Sequence, residues 1–245
     1  MDYNILFKRP FEFLNGRLGN VDATFLYLDI DFKNSMSVHK PHELTLISNK
    51  QLPDYEKSGD VYKKVCYISQ LTDKAANIYS IIKRGPIYNN NPLTTNIEKI
   101  LFGINEKYVF IPSHKSAKSI GIEHEYTLFP EDSIIAHELT HAWNDDFGLE
   151  KLANHIGNSD KDASDEALAK LIDLSYILEY YPDYFDPRLE KIAENAVQYA
   201  VLKKSNCEWL DGAASEIVLD YWKTSGKSEN LFRELKSISA PSAFS

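Results

Sequence analysis

The spacing of apolar and polar residues changes near residue 125. Before that point, short runs rich in aromatic and β-branched residues lie between polar residues, a pattern typical of strands. The predicted strands are 25–30, 44–47 and 108–112. Between residues 61 and 83, apolar residues recur at helix-like intervals. We therefore predict one helix or two there, ended by Gly85-Pro86.

After residue 125 the pattern is mostly helical. Pro130-Glu131-Asp132 suits a first helical turn, because proline fits that position and acids complement the helix dipole. This helix is expected to pass through Trp143 and end before Gly148. A second helix is expected to begin at Ser164, which is a good N-cap. Further helices are predicted at 189–203 and 212–223, and a frayed tail at 237–245.

These patterns predict an α+β fold, with a small sheet in the first half and a mostly helical second half. The chain has 245 residues, of which 43% are hydrophobic, so it can bury a sizeable core. That length suits a single domain, 1–245, with approximate lobes 1–125 and 126–245.

Charge and targeting signals narrow the functional classes. The net charge of −9 argues against nucleic acids and acidic membranes as partners, because phosphates need a basic surface. Two cysteines, Cys66 and Cys207, are too few for a disulfide framework or a cysteine-rich zinc site. There is no signal-peptide pattern and no apolar run long enough to span a membrane. We expect a cytoplasmic protein, or one exported by a route that needs no signal peptide.

A short motif on the first predicted helix of the second half carries candidate chemistry. His137-Glu138-Leu139-Thr140-His141 places two histidines four residues apart, so both imidazoles lie on one helix face and can reach one zinc ion. Glu138 lies at the edge of that face. There it can take a proton from a metal-activated water and pass it to a leaving amine. The alternative is a solvent-facing helix that carries two histidines by chance.

The segment 134–143, Ile-Ile-Ala-His-Glu-Leu-Thr-His-Ala-Trp, resembles the active-site helix of the zincin superfamily of metalloproteases. The resemblance covers roughly residues 105 to 200. It implies a zincin-like fold whose rim strand pairs with an extended substrate, and 108–111 is the candidate strand. Metzincins have a glycine and a histidine where this chain has Asn144 and Phe147. The departure favours the gluzincin branch, whose third zinc ligand is a glutamate on a later helix.

Two later segments resemble that third-ligand pattern. Asp165-Glu166-Ala167-Leu168-Ala169 is similar to the thermolysin-like arrangement and offers Glu166, although Lys170 stands where an acid is expected. Glu190-Lys191-Ile192-Ala193-Glu194 is similar to the lethal-factor-like branch of bacterial toxins and offers Glu190.

Acids just after the second histidine and a tyrosine shortly before the ligand also fit the lethal-factor-like branch, so Glu190 is the first choice and Glu166 the second. Both glutamates have a purely structural alternative, an acid that stabilises the dipole of its helix. The remaining candidates for the third ligand are Asp145, Asp146 and His155. Tyr184, ahead of Tyr180 and Tyr181, is the candidate for stabilising an oxyanion.

The resemblance implies a zinc endopeptidase that acts on a protein or peptide substrate, with no nucleic-acid or membrane partner. The chain also resembles bacterial toxin and effector metalloproteases, which implies cleavage of a selected host protein after export into a host cell. Two alternatives stay open. One is a cytosolic regulatory protease that cleaves a repressor, and the other is a non-catalytic binding protein stabilised by zinc.

Overall fold

The computed structural model describes residues 3–19, 23–30, 41–47, 56–58, 61–67, 78, 80–89, 108–121, 125–147, 160–203, 209–225 and 228–239. The chain forms two compact units, of which one is Ala23–Glu131 and the other combines Met1–Asp22 with Asp132–Ser245. The first unit contains a sheet and the second contains helices, so the expected α+β class is confirmed. The division lies close to residue 125, but the first 22 residues belong with the helices rather than with the sheet.

The sheet unit contains six strands in the order β3-β4-β2-β1-β6-β5. They are β1 (Thr24–Asp29), β2 (Pro41–Ile47), β3 (Glu56–Ser58), β4 (Val61–Tyr67), β5 (Ile87–Asn89) and β6 (Tyr108–Pro112). Neighbouring strands are antiparallel, except that β1 and β6 run parallel. Both of these strands are buried along almost their whole length, as their continuous apolar sequences predict. A short helix, His114–Ser119, and a 3-10 turn, Glu125–Leu128, follow β6.

The three predicted strands are confirmed as parts of β1, β2 and β6, whereas the helix predicted from residue 61 is wrong in its first part. Val61–Tyr67 is a strand that pairs with β2 over seven residue pairs. Pairing of this length, together with valines and tyrosines that favour strands, outweighs the helix-like spacing. Residues 78 and 80–84 are helical, and the helix ends at the predicted break, where Gly85 has a φ of 89°.

Strand β6 is not a free edge of the sheet. Its residues Tyr108, Val109 and Phe110 pair with β1 on one side and with β5 on the other. Both sets of backbone groups are thus occupied along this stretch, and the edge strand on this side of the sheet is β5. The prediction that 108–111 pairs with an extended substrate is therefore wrong.

The second unit is built from helices. Its described residues form the α-helices α1 (Tyr3–Leu18), α2 (Glu131–Phe147), α3 (Lys161–Tyr180), α4 (Phe185–Lys203), α5 (Leu210–Ser225) and α6 (Ser228–Ser239), with a 3-10 turn at Pro182–Tyr184. Helices α2, α4 and α5 confirm the predicted ones, although α4 begins four residues earlier than expected. No helix of the described residues is long and apolar enough to cross a membrane.

Helix α3 begins before the predicted N-cap. The side chain of Asp160 accepts hydrogen bonds from the amides of Asp162 and Ala163, at 3.1 Å each, and so caps the helix. Ser164 is already inside the first turn, where its hydroxyl donates to the carbonyl of Asp160 at 2.8 Å. The predicted start at Ser164 is therefore wrong by three residues.

Helices α1 and α6 were not predicted, and their apolar faces pack on α3. Phe13 of α1 meets Tyr176 of α3 and Phe232 of α6 edge-on, with ring centroids 5.1 and 5.6 Å apart. Both phenylalanines are buried. Because α6 continues to Ser239, residues 237–239 are helical rather than part of a frayed tail.

A buried carboxylate fixes the start of α2 against α1 and α3. Asp132 accepts hydrogen bonds from the hydroxyls of Tyr176 and Tyr181, at 2.7 Å each, and pairs with Arg9 at 3.4 Å. Burial and the hydrogen bond to Asp132 raise the pKa of Tyr181 to about 12, so its hydroxyl stays a donor at neutral pH. These contacts set the position of the helix that carries His137-Glu138-Leu139-Thr140-His141.

Candidate metal centre

Helices α2 and α3 bring two imidazoles and one carboxylate together. The Nε2 atoms of His137 and His141 are 3.3 Å apart. Glu166 of α3 places Oε1 3.5 Å from Nε2 of His137 and Oε2 3.4 Å from Nε2 of His141. This group can hold a metal ion.

The spacing of these atoms fits a tetrahedral zinc ion. Zinc binds histidine nitrogen and carboxylate oxygen at about 2.0–2.2 Å, so two ligand atoms on a tetrahedron lie about 3.3–3.6 Å apart. The two Nε2 atoms are 3.3 Å apart, and each lies 3.4 or 3.5 Å from a different oxygen of Glu166, so each of these pair distances falls in this range. The two histidines and Glu166 therefore have both the chemistry and the spacing of three zinc ligands, with the fourth position left for water or substrate.

A second carboxylate orients His141 from its other side. Nδ1 of His141 lies 2.7 Å from Oδ2 of Asp165, and the side-chain amide of Asn144 donates to the other oxygen of Asp165. A proton on Nδ1 of His141 leaves the lone pair of Nε2 free for a metal. Asp165 therefore keeps the proton on Nδ1 of His141 when a metal takes the place of the proton on Nε2.

The charges within this group shift the pKa values of His141 and Glu166 in opposite directions. Burial alone lowers the pKa of His141, but hydrogen bonds to Asp165 and Glu166 outweigh it and raise the pKa well above its usual range. Burial alone raises the pKa of Glu166, but the charges of His137 and Lys170 outweigh it and hold the pKa well below its usual range. Glu166 is thus an ionised carboxylate in a half-buried position, which attracts a cation.

The carboxylate of Glu138 and Nδ1 of His137 differ in their surroundings. Glu138 is buried, with 7% of its surface exposed, and its charge contributes to the raised pKa of His141. Nδ1 of His137 is also buried, and within the described part of the chain it has no hydrogen-bond partner. A metal-bound histidine usually donates this proton to a carboxylate or a carbonyl. The support that Asp165 gives to His141 has no counterpart at His137 among the described residues.

Lys170 occupies the position, four residues after Glu166, where the thermolysin-like pattern has an acid. Its ammonium lies 3.3 Å from Oε1 of Glu166 and 2.6 Å from Oδ1 of Asp211, and only 3% of the side chain is exposed. Burial alone lowers the pKa of Lys170, but the two carboxylates outweigh it and raise the pKa. The departure from the pattern is therefore a buried cation in direct contact with a candidate ligand.

The structure does not bring Glu190, the first choice for the third ligand, into this group. Its side chain is exposed on α4, and its neighbour Glu194 pairs with Lys191 at 3.2 Å. Glu166, the second choice, takes the place beside the two histidines. The likeness of 190–194 to a toxin motif is local, whereas the ligand set depends on which later helix packs against α2.

Among the described residues, the group contains no other third-ligand candidate named from the sequence. Asp145 is not a member of the group, while the side chain of Asp146 and the whole of His155 lie outside the described residues. Tyr184 has 44% of its surface exposed, and the hydroxyl of Tyr181 is bound to Asp132.

Sequence reasoning missed three supporting residues, Asn144, Asp165 and Asp211. Two of them left a signal in the sequence. Asp165 is adjacent to a candidate ligand, and Asn144 follows His141 by three residues on the same helix face. Asp211 left none, because its contact with Lys170 depends on how α5 packs against α3.

Comparisons of the chain with models of protein families, with curated proteins and with solved structures find no match. The donor atoms of the site therefore indicate its chemistry. Two imidazole nitrogens and a carboxylate oxygen form a donor set that suits zinc and other divalent transition metals.

Proposed function

We propose that this protein is a zinc-dependent endopeptidase of the zincin type, with His137, His141 and Glu166 as metal ligands and Glu138 as general base and acid. The observation that carries the proposal is the convergence of two imidazoles and one carboxylate from two helices, whose ligand atoms all lie within 4.8 Å of one another. A helix that binds no metal has no need of this arrangement. It has even less need of a buried glutamate directly after the first histidine.

Three ligands leave a coordination position open, which distinguishes a catalytic zinc site from a structural one with four protein ligands. Zinc at such a site lowers the pKa of a coordinated water to roughly 7 and polarises a substrate carbonyl. The residues of this chain supply the other requirements. Asp165 accepts a hydrogen bond from the proton on Nδ1 of His141. Glu138, buried directly after the first histidine, would accept a proton from the activated water and return it to the leaving amine.

We further propose that the substrate is a selected protein, in the manner of a bacterial effector that acts inside a host cell. This part of the proposal rests on the resemblance of the sequence to toxin and effector metalloproteases. It predicts that the purified enzyme leaves casein and unfolded peptides largely intact. Digestion of such substrates without preference would contradict it.

The first test is the metal content of the purified protein, measured by mass spectrometry. We expect about one zinc per chain in the wild type. The zinc is expected to be lost in His137→Ala and in Glu166→Ala. Glu190→Ala is the matched control, because it removes an exposed glutamate from a neighbouring helix, and it is expected to keep the metal.

The second test separates catalysis from a structural role for zinc. Glu138→Gln is expected to keep the metal and to lower the rate of peptide cleavage by about 10²–10⁴-fold, because it removes the general base. A wild type that binds no zinc after zinc is added back would refute the metal site. A Glu138→Gln variant with full biological activity would instead support the zinc-stabilised binding protein.

A further inference from the structure

Lys170 is a buried cation that contacts the candidate ligand Glu166. Only 3% of its side chain is exposed, and its ammonium lies 3.3 Å from Oε1 of Glu166. A buried ammonium is stable only when carboxylates or other acceptors surround it. The second carboxylate is that of Asp211, at 2.6 Å.

Asp211 is itself held by two helices. It lies in the first turn of α5, where the helix dipole favours an acid. Its second oxygen accepts a hydrogen bond of 2.7 Å from the side-chain amide of Asn195 on α4. A continuous chain of contacts thus runs from Asn195 through Asp211 and Lys170 to Glu166, and it connects α4 and α5 to the metal site on α3.

We infer that Lys170 and Asp211 are positioning residues, which hold the carboxylate of Glu166 in the orientation that meets both histidines. The inference rests on the proposed zinc site and names residues for it that the ligand motif does not include. Glutamate has three rotatable side-chain bonds, so an unrestrained carboxylate loses conformational freedom when it binds a metal. A carboxylate that the ammonium already holds in place loses less.

A cation beside a ligand also has the opposite effect, because it repels a divalent metal. Two distances indicate that positioning is the larger effect. Lys170 lies closer to Asp211 than to Glu166, at 2.6 against 3.3 Å, so much of its charge is balanced by a carboxylate that is not a ligand. Positioning and repulsion predict opposite effects of Lys170 on metal affinity. Loss of Lys170 weakens metal binding if it positions Glu166 and strengthens it if repulsion dominates.

The test is the zinc affinity of Lys170→Met, measured by competition with a chelator. Methionine keeps most of the length of the side chain and removes its charge, and we expect affinity to fall about 10–100-fold. Asp211→Asn is expected to weaken binding in the same direction by less. Lys203→Met is the matched control, since Lys203 forms an exposed salt bridge of 3.6 Å with Glu216, which joins α4 to α5. It is expected to bind zinc as the wild type does.

The visible absorption of bound Co²⁺ gives a second readout, because it depends on coordination geometry, which a loss of general stability does not change. We expect an altered spectrum in Lys170→Met and the wild-type spectrum in Lys203→Met. In the double variant Lys170→Met/Asp211→Asn, zinc affinity is expected to equal that of Lys170→Met, because Asp211 acts through Lys170.

The failures of the two proposals are distinguishable. Unchanged or tighter zinc binding by folded Lys170→Met would overturn the positioning role and leave the metal site intact. If Lys170→Met does not fold, Asp211→Asn decides, and wild-type affinity and spectrum in that variant would overturn the inference. Absence of zinc binding by the wild type would instead refute the proposed function.

Discussion

Asp165 and Glu166 are adjacent on α3 and hold opposite sides of one imidazole ring. Successive helical residues point about 100° apart, which allows the two carboxylates to reach different atoms. Glu166 meets Nε2 of His141 at 3.4 Å, while Asp165 meets Nδ1 at 2.7 Å. The ring is therefore oriented before any metal binds, and the residue that orients it is not a ligand.

Asp165→Ala is expected to lower zinc affinity about 10–100-fold, because the variant removes the acceptor that fixes the tautomer of His141. Asp165→Asn keeps an acceptor oxygen and is expected to have a smaller effect. Asp162→Ala, an exposed acid in the first turn of the same helix, serves as the control in the same chelator competition. Equal affinities of Asp165→Ala and the wild type would show that the ring needs no such support.

The histidine pair and Glu138 could be predicted from the sequence because their spacing lies within a single helix. The choice between Glu166 and Glu190 could not, since both lie in helices and either could face α2. Only the packing of α3 against α2 selects Glu166. The burial of Lys170 was equally out of reach, because a lysine is predicted to be exposed unless its partners are known.

At the scale of helices, α4 and α5 pack closely around one glycine. A Cβ atom at Gly212 would lie 2.5 Å from Cβ of Tyr199 and 2.6 Å from Cε3 of Trp209. A Cβ atom is fixed to its backbone and cannot move aside. The contact between the two helices, and with it the placement of Asp211, therefore depends on the absence of a side chain at the next residue.

Gly212→Ala is expected to destabilise the protein by about 1–3 kcal/mol, because the added methyl group overpacks the contact between α4 and α5. Gly16→Ala is the matched control. Gly16 lies in α1 with open space where a Cβ would stand, so the same substitution is expected to stabilise by about 0.5–1 kcal/mol. Denaturant titration of both variants measures the change in the free energy of unfolding. Equal changes at both positions would contradict the packing argument.

Elements were predictable where local pattern and tertiary packing agree. Helix α2 has a proline start, an acidic first turn and a long apolar face, and it was predicted to within a residue or two. Strand β4 was mistaken for a helix, because its assignment depends on pairing with a distant partner. Helix α1 has buried residues at helical intervals (Leu6, Pro10, Phe13, Leu14 and Leu18), but an internal proline obscured that pattern.

At the scale of the molecule, the ligand atoms of the candidate metal site all belong to the helical unit, and a bound ion would link α2 to α3. A ligand that binds only the folded state stabilises it in proportion to its affinity. The metal site and the stability of the helical unit are therefore coupled.

Zinc is expected to raise the melting temperature of the apoprotein, with a stabilisation of about 2.7 kcal/mol when free zinc is 100 times the Kd. Glu166→Ala is expected to show a much smaller shift, since it lacks a ligand. Mg²⁺ is the control ion, because it prefers an all-oxygen site. Thermal unfolding followed by circular dichroism checks this expectation, and an equal response of Glu166→Ala and the wild type would place the stabilising zinc elsewhere.

The helical unit is assembled from two pieces of chain that the sheet unit separates. During synthesis α1 is made before the sheet unit, whereas its packing partners on α3 and α6 are made after it. The sheet unit is continuous in sequence, so it can fold on the ribosome before the packing partners of α1 have been made. Throughout that interval the apolar face of α1, with Phe13 and Leu14, is open to chaperones. Helix α1 is thus translated before the sheet unit but buried only after α3 and α6 have been made.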